Sequence, residues 1–209
     1  IVVDEGASVT LKVIGEPSKN LSWLNHLAPE DLRSLDLDDT AIDDDQLKYV
    51  VNLRQLESLK LANTAVTDNG LATLKSLTNL YKLEMPATNV TDKGIAHLRE
   101  LTNLEWLDLS RNRISDAGAI HVVALHNLRV LHMNETDVSD DTVERLQELE
   151  SLVVLELRAT KIAGISLGVL GNLEHLLTLD LSKTQVNDQT ARSLAQITSL
   201  QELFLEQTA

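Results

Sequence analysis

The chain has no cysteine, which excludes disulfide staples, cysteine-ligated zinc and thiol catalysis, and leaves the redox compartment unreadable. Aromatic residues are nearly missing: two Trp, two Tyr and one Phe in 209 residues. Any core must then be assembled from many equivalent aliphatic positions instead of a few large rings. Basic residues are outnumbered, with 18 Lys and Arg against 32 Asp and Glu, for a net charge of −14. Nucleic acids and anionic bilayers need clustered Lys and Arg, so both are excluded as expected partners. A protein partner with a basic face is compatible with this charge balance, and plain solubility also accounts for it. No apolar run approaches the length of a membrane span, so no membrane insertion is expected of this stretch. The first residue is Ile1, which reads as a fragment or a processed form; a leader or anchor would leave no trace in it.

What the chain does have is a period. Leucine stands at 32, 56, 80, 104, 128, 152, 176 and 200, and again at 35, 59, 83, 107, 131, 155, 179 and 203. Two leucine columns spaced by 24 residues, with no insertion, mean stacked copies of one supersecondary unit. Within a unit, the stretch around Leu59 and Leu61 has period two and predicts a short strand with one buried side. Leu71, Leu74 and Leu77 follow at near-helical spacing and predict a short helix or helical turns. A strand, a crossover and a parallel strand, repeated, should coil right-handedly. A single unit cannot bury its own leucines, and stacking covers both sides of every internal one.

Two polar columns accompany the leucines. Thr40, Thr64, Thr88, Asn112, Thr136, Thr160, Thr184 and Thr208 follow the last strand leucine by three residues. A short polar side chain there can satisfy backbone groups of the turn leaving the strand. Asp44, Asp68, Asp92, Asp116, Asp140 and Asp188 are expected to sit just before each helix, where a carboxylate caps free N–H groups and meets the positive helix end. Gly164 interrupts this column, so the sixth unit is expected to begin its helix poorly. A calcium role for the aspartates is the weaker reading, because their oxygens are not grouped as a calcium loop demands.

The pattern LxxLxLxxT resembles the leucine-rich repeat, which usually reads LxxLxLxxN. The stretches Val66-Thr-Asp68-Asn-Gly70-Leu71 and Val90-Thr-Asp92-Lys-Gly94-Ile95 look like the 24-residue bacterial subtype, itself similar to ribonuclease-inhibitor-like and F-box-associated repeats. The resemblance covers residues 32–209, as seven full units and a final strand, and departs from the family in using Thr where Asn is usual, except at Asn112. It implies an α/β right-handed solenoid, with a parallel β-sheet on the concave face and short helices on the convex face. For function it implies protein recognition and no site chemistry.

Residues 1–31 read as a degenerate capping unit. Val9, Leu11 and Val13 alternate, Leu21, Leu24 and Leu27 give a helical face, and Trp23 is expected to shield the open core. At the other end no cap follows Leu203 and Leu205. An exposed terminal strand is a pairing hazard, so either the natural protein continues or this end pairs weakly with another chain.

Catalysis is not expected. The sequence holds no P-loop spacing and no HExxH. His97 and His121 are helix-side neighbours, but the next member of their column is Arg145, which repels a cation; no metal or cofactor is expected. His132 stands between Asp108 and Glu156 on the strand side, with Glu84 in the same column, yet no nucleophile or oxyanion donor adjoins it. The strand residues between buried leucines face outward instead. Trp106, Val130 and Val154 form an apolar run over three adjacent strands, with Tyr81, Val153 and Leu177 in the preceding column. The expected partner-binding residues are Tyr81, Lys82, Glu84, Trp106, Asp108, Val130, His132, Val154, Glu156 and Arg158: an aromatic anchor and apolar centre inside a charged rim. A weaker apolar group, Ile120, Val123, Ile165 and Val169, lies on the helix side. The leading expectation is a monomeric, non-catalytic protein-interaction scaffold. The alternatives are an assembly module self-associating through its open ends or convex face, and a regulatory or targeting domain of a larger protein.

Overall fold

A computed structural model describes residues 10–13 and 20–209. Among them nine strands form one open sheet, every neighbouring pair parallel, in strict chain order. They are β1 (Thr10–Lys12), β2 (Ser34–Asp36), β3 (Ser58–Lys60), β4 (Lys82–Glu84), β5 (Trp106–Asp108), β6 (Val130–His132), β7 (Val154–Glu156), β8 (Thr178–Asp180) and β9 (Glu202–Phe204). The middle residue of each strand is the repeated leucine, or Leu11 in β1, and pairs with its counterpart one unit on, as Leu59 does with Leu83. Because alternate strand residues point to opposite faces, each leucine goes in and its two neighbours go out. Leu11 thus opens the sheet as expected, while Val9 lies outside the described residues.

The crossovers carry α1 (Asp44–Leu47), α2 (Asp68–Leu74), α3 (Asp92–Ile95), α4 (Asp116–Val122) and α5 (Asp140–Leu146). The later units replace these with 3-10 turns, Leu167–Asn172 and Ala191–Gln196. Gly164, at φ +90°, precedes the first of them, and the helix that begins at Asp140 in the unit before has no counterpart there. The core is one aliphatic cluster running from Leu21 to Ile197, with Trp23 and Leu27 packed on its N-terminal end.

The threonine column does what its position suggests. Thr40, Thr64, Thr136, Thr160 and Thr184 each donate their hydroxyl to the carbonyl three residues back, at 2.6–2.8 Å. Asn112 does more than its threonine counterparts. Its amide donates to the carbonyls of Leu109 and Ser110 and, one coil earlier, Met85, while its oxygen accepts from the Thr88 hydroxyl and the Val90 N–H.

The aspartate column requires a correction. The residue that caps each helix is the one before it: Asp43, Thr67, Thr91, Ser115 and Ser139 accept from an N–H of the first turn. The aspartate is the first helical residue, and its carboxylate reaches the next coil. Asp44 accepts the N–H and hydroxyl of Thr67, Asp92 those of Ser115, and Asp116 those of Ser139. In the next coil Asp140 takes the N–H groups of Ala163, Gly164 and Ser166 instead. Burial works against ionisation of Asp116, but hydrogen bonds from Thr142 and Ser139 outweigh it and hold this carboxyl below the usual range. Another tie joins the coils where the crossovers end. Asn79, Asn103 and Asn127 donate to the carbonyls of Arg54, Thr78 and Thr102 at 2.8 Å.

Candidate functional site

The open face of the sheet is a lattice of outward residues set by strand register. Trp106 lies between Lys82 and Val130, and Val130 lies beside Val154. Trp106 is half-buried by its own neighbours. The Lys82 Nζ stands 4.0 Å from the centre of its ring, a cation–π distance, and the His132 ring meets it edge-on with centroids 5.6 Å apart. The indole N–H is enclosed without an acceptor, an unsatisfied donor at the middle of the face.

A row of charges runs beside this aromatic centre. Lys60 and Lys82 reach Glu84 at 3.4 and 3.2 Å. His132 stands with Nδ1 3.8 Å from Asp108 and Nε2 3.6 Å from Glu156. Burial opposes the imidazolium, but Asp108 and Glu156 outweigh it and raise the His132 pKa. Burial likewise opposes the Asp108 carboxylate, and His132 together with Ser110 holds it below its ordinary value. The histidine therefore stands as an internal counter-charge between two carboxylates, with the Trp106 ring against its edge. Glu156 also accepts from the Asn134 amide at 2.7 Å, and Arg158 reaches Glu206 at 3.9 Å on the rim.

All ten residues expected on this face are at least partly exposed. Tyr81, Lys82, Trp106, Val130 and Val153 line a groove of about 290 Å³ together with Glu105 and Arg129. A second hollow of about 550 Å³ adjoins it, lined by Arg129, Val153, His175 and Leu177 among others. Glu105 and Arg129 were not among the expected residues. Their column reads Tyr81, Glu105, Arg129, Val153, with no run of one residue type to mark it, and only the walls of the groove reveal their place. On the helix side, Ile120 and Ile165 are exposed but stand two coils apart. Among the described residues no group of three His, Asp or Glu is placed to hold a metal ion, and no helix is long and apolar enough to cross a membrane.

Two family models described as leucine rich repeat match residues 150–209 and 100–122. No curated protein matches the chain in sequence. The fold is similar to that of the internalin InlF of Listeria monocytogenes, with 24% identity over 90% of this chain and a TM-score of 0.68. This chain covers 58% of that internalin's length. Internalin C2 of the same organism is also similar, at 24% identity, a TM-score of 0.56, and coverage of 78% of this chain and 75% of that one. So is a plant peptide hormone receptor, RGFR1, solved in complex with RGF2, at 18% identity, a TM-score of 0.61, and coverage of 87% of this chain and 30% of that one. The 24-residue period, the unbroken parallel ladder and these matches make the chain a leucine-rich repeat protein.

Proposed function

We propose that this chain is a non-catalytic protein-binding scaffold whose partner seats on the open sheet face, centred on Trp106. The observation that carries the reading is the Lys82–Trp106–His132 stack, beside the Val130 and Val154 strip and inside a charged rim. Aromatic anchors in apolar, rimmed surfaces are where protein interfaces concentrate their energy. The groove at Tyr81 and Trp106 gives the anchor a neighbouring recess that a partner side chain can enter. The likeness to a receptor solved with RGF2 supports the view that a solenoid of this kind can serve recognition. The contact set comprises Tyr81, Lys82, Glu84, Trp106, Asp108, Val130, His132, Val154, Glu156 and Arg158.

The test is affinity capture with the intact chain beside Trp106→Ala. The variant should lose about 2 kcal/mol or more of binding energy to the captured partner, with little change in melting temperature. A partner held equally by both proteins contradicts the reading. The working unit is taken as a monomer, so light scattering should return one mass at all concentrations. A mass that rises with concentration favours the assembly alternative.

A further inference from the structure

We infer that the partner presents a cationic side chain close to an apolar one, with the cation on the Asp108–Glu156–Asp180 end of the carboxylate row and the apolar group on the Val130–Val154 strip. This rests on the reading of the open face as the binding surface, and it names the partner's chemistry.

The row runs Asp36, Lys60, Glu84, Asp108, His132, Glu156, Asp180 across β2 to β8. Its positive charge is distributed unevenly. Toward β1, Lys12 lies 3.1 Å from Asp36, and Lys60 and Lys82 share Glu84. From β5 to β8 there are three carboxylates. Among the described residues no Lys or Arg comes within 4.0 Å of them, and their one compensating neighbour is His132, between Asp108 and Glu156. Asp180 takes the Ser182 N–H at 2.7 Å and meets no cation.

The apolar strip adjoins this under-compensated end. Val154 and Glu156 are the two outward residues of one strand, separated by about 7 Å along it. A ligand serving both seats therefore carries its cation and its apolar group about 7 Å apart, the spacing of alternate residues in an extended peptide. The other chemistries fare worse. A purely apolar segment lying on Val154 would strip water from Glu156 and Asp180 without supplying a counter-charge. An acidic segment would meet like charge directly.

The test is selection of a random displayed-peptide library on the full chain, followed by titration of the tightest synthetic peptide. Enriched sequences should place Lys or Arg two residues from Leu, Ile, Val or Phe. The peptide should bind a Glu156→Gln/Asp180→Asn double variant at least about tenfold more weakly. Both substitutions keep an acceptor oxygen, so the Asn134 and Ser182 hydrogen bonds survive. Glu148→Gln, at an exposed position away from the sheet, should bind as the unaltered chain does. Enrichment of acidic or uncharged peptides, no enrichment, or unchanged affinity for the double variant overturns the inference. A peptide indifferent to the double variant but lost with Trp106→Ala overturns the cationic class and leaves the face reading standing. A peptide indifferent to both overturns the face as well.

Discussion

Asp68 holds Thr91 twice across neighbouring coils: one carboxylate oxygen accepts the Thr91 N–H at 2.7 Å and the other accepts its hydroxyl at 2.7 Å. The same double contact joins Asp92 to Ser115. Asp92→Ala leaves that N–H without its acceptor. It should cost about 2 kcal/mol in chemical denaturation, since hydrogen bonds to charged groups contribute roughly 1.5–3 kcal/mol. Asp45 is 86% exposed at its side chain and meets only Lys48, at 3.8 Å. Asp45→Ala should change stability by less than about 0.5 kcal/mol. Equal effects from the two would dismiss the staple.

The staple also explains the glycine of the repeat. A β-carbon on Gly94 would meet Val90 Cγ1 at 2.9 Å and the Asp68 backbone at 3.1 Å, and would crowd the Asp68 carboxylate. Helix propensity alone favours Ala over Gly by about 1 kcal/mol. Here the crowding wins, and Gly94→Ala should destabilise by about 1–3 kcal/mol. Combined with Asp68→Ala it should recover part of that cost, a coupling above about 0.5 kcal/mol. Strict additivity would show that the two side chains do not compete for the space.

Among the described residues, eight non-glycine positions spaced by 24 sit in the left-handed region: Asp39, Asn63, Ala87, Arg111, Glu135, Ala159, Lys183 and Gln207. That region costs an L-residue roughly 1–2 kcal/mol. Ala159→Gly, at φ 54°, should therefore stabilise by up to about 1 kcal/mol. Ala72→Gly, inside α2, should destabilise by about 0.5–1 kcal/mol. The opposite signs are read from two denaturation midpoints.

The His132 pair makes stability depend on pH in a defined direction. Its folded pKa lies above the ordinary 6.5, so its contribution is full below that value and fades as pH rises through the raised one. Asp108 is depressed below 3.8, so its share is full above that value and fades as pH falls through the lowered one. The pair contributes most between these limits. Melting curves over about pH 5 to 8 should show the advantage of the unaltered chain over His132→Gln shrinking as pH rises. Parallel curves would mean that the ion pair carries no proton linkage.

The leucine columns made register readable before any coordinates. Leu35, Leu59 and Leu83 pair in sequence across β2, β3 and β4, and Trp106 faces outward because Leu107 faces in. The aspartate staple was hidden because a single unit shows only a carboxylate at a helix start, and its true partner is 23 residues later. The left-handed positions were hidden because seven residue types fill them, with no glycine to signal the turn. The Lys82 stack over Trp106 was hidden for another reason: register fixes which face a side chain occupies, while its rotamer decides what it touches.

The face on which a partner sits can be read directly by cross-linking. A photoreactive residue at Val154, on the open face, should capture the partner, and the same residue at Val123, on the helix side, should not. Capture from Val123 alone would move the interface to the opposite surface and contradict the central claim.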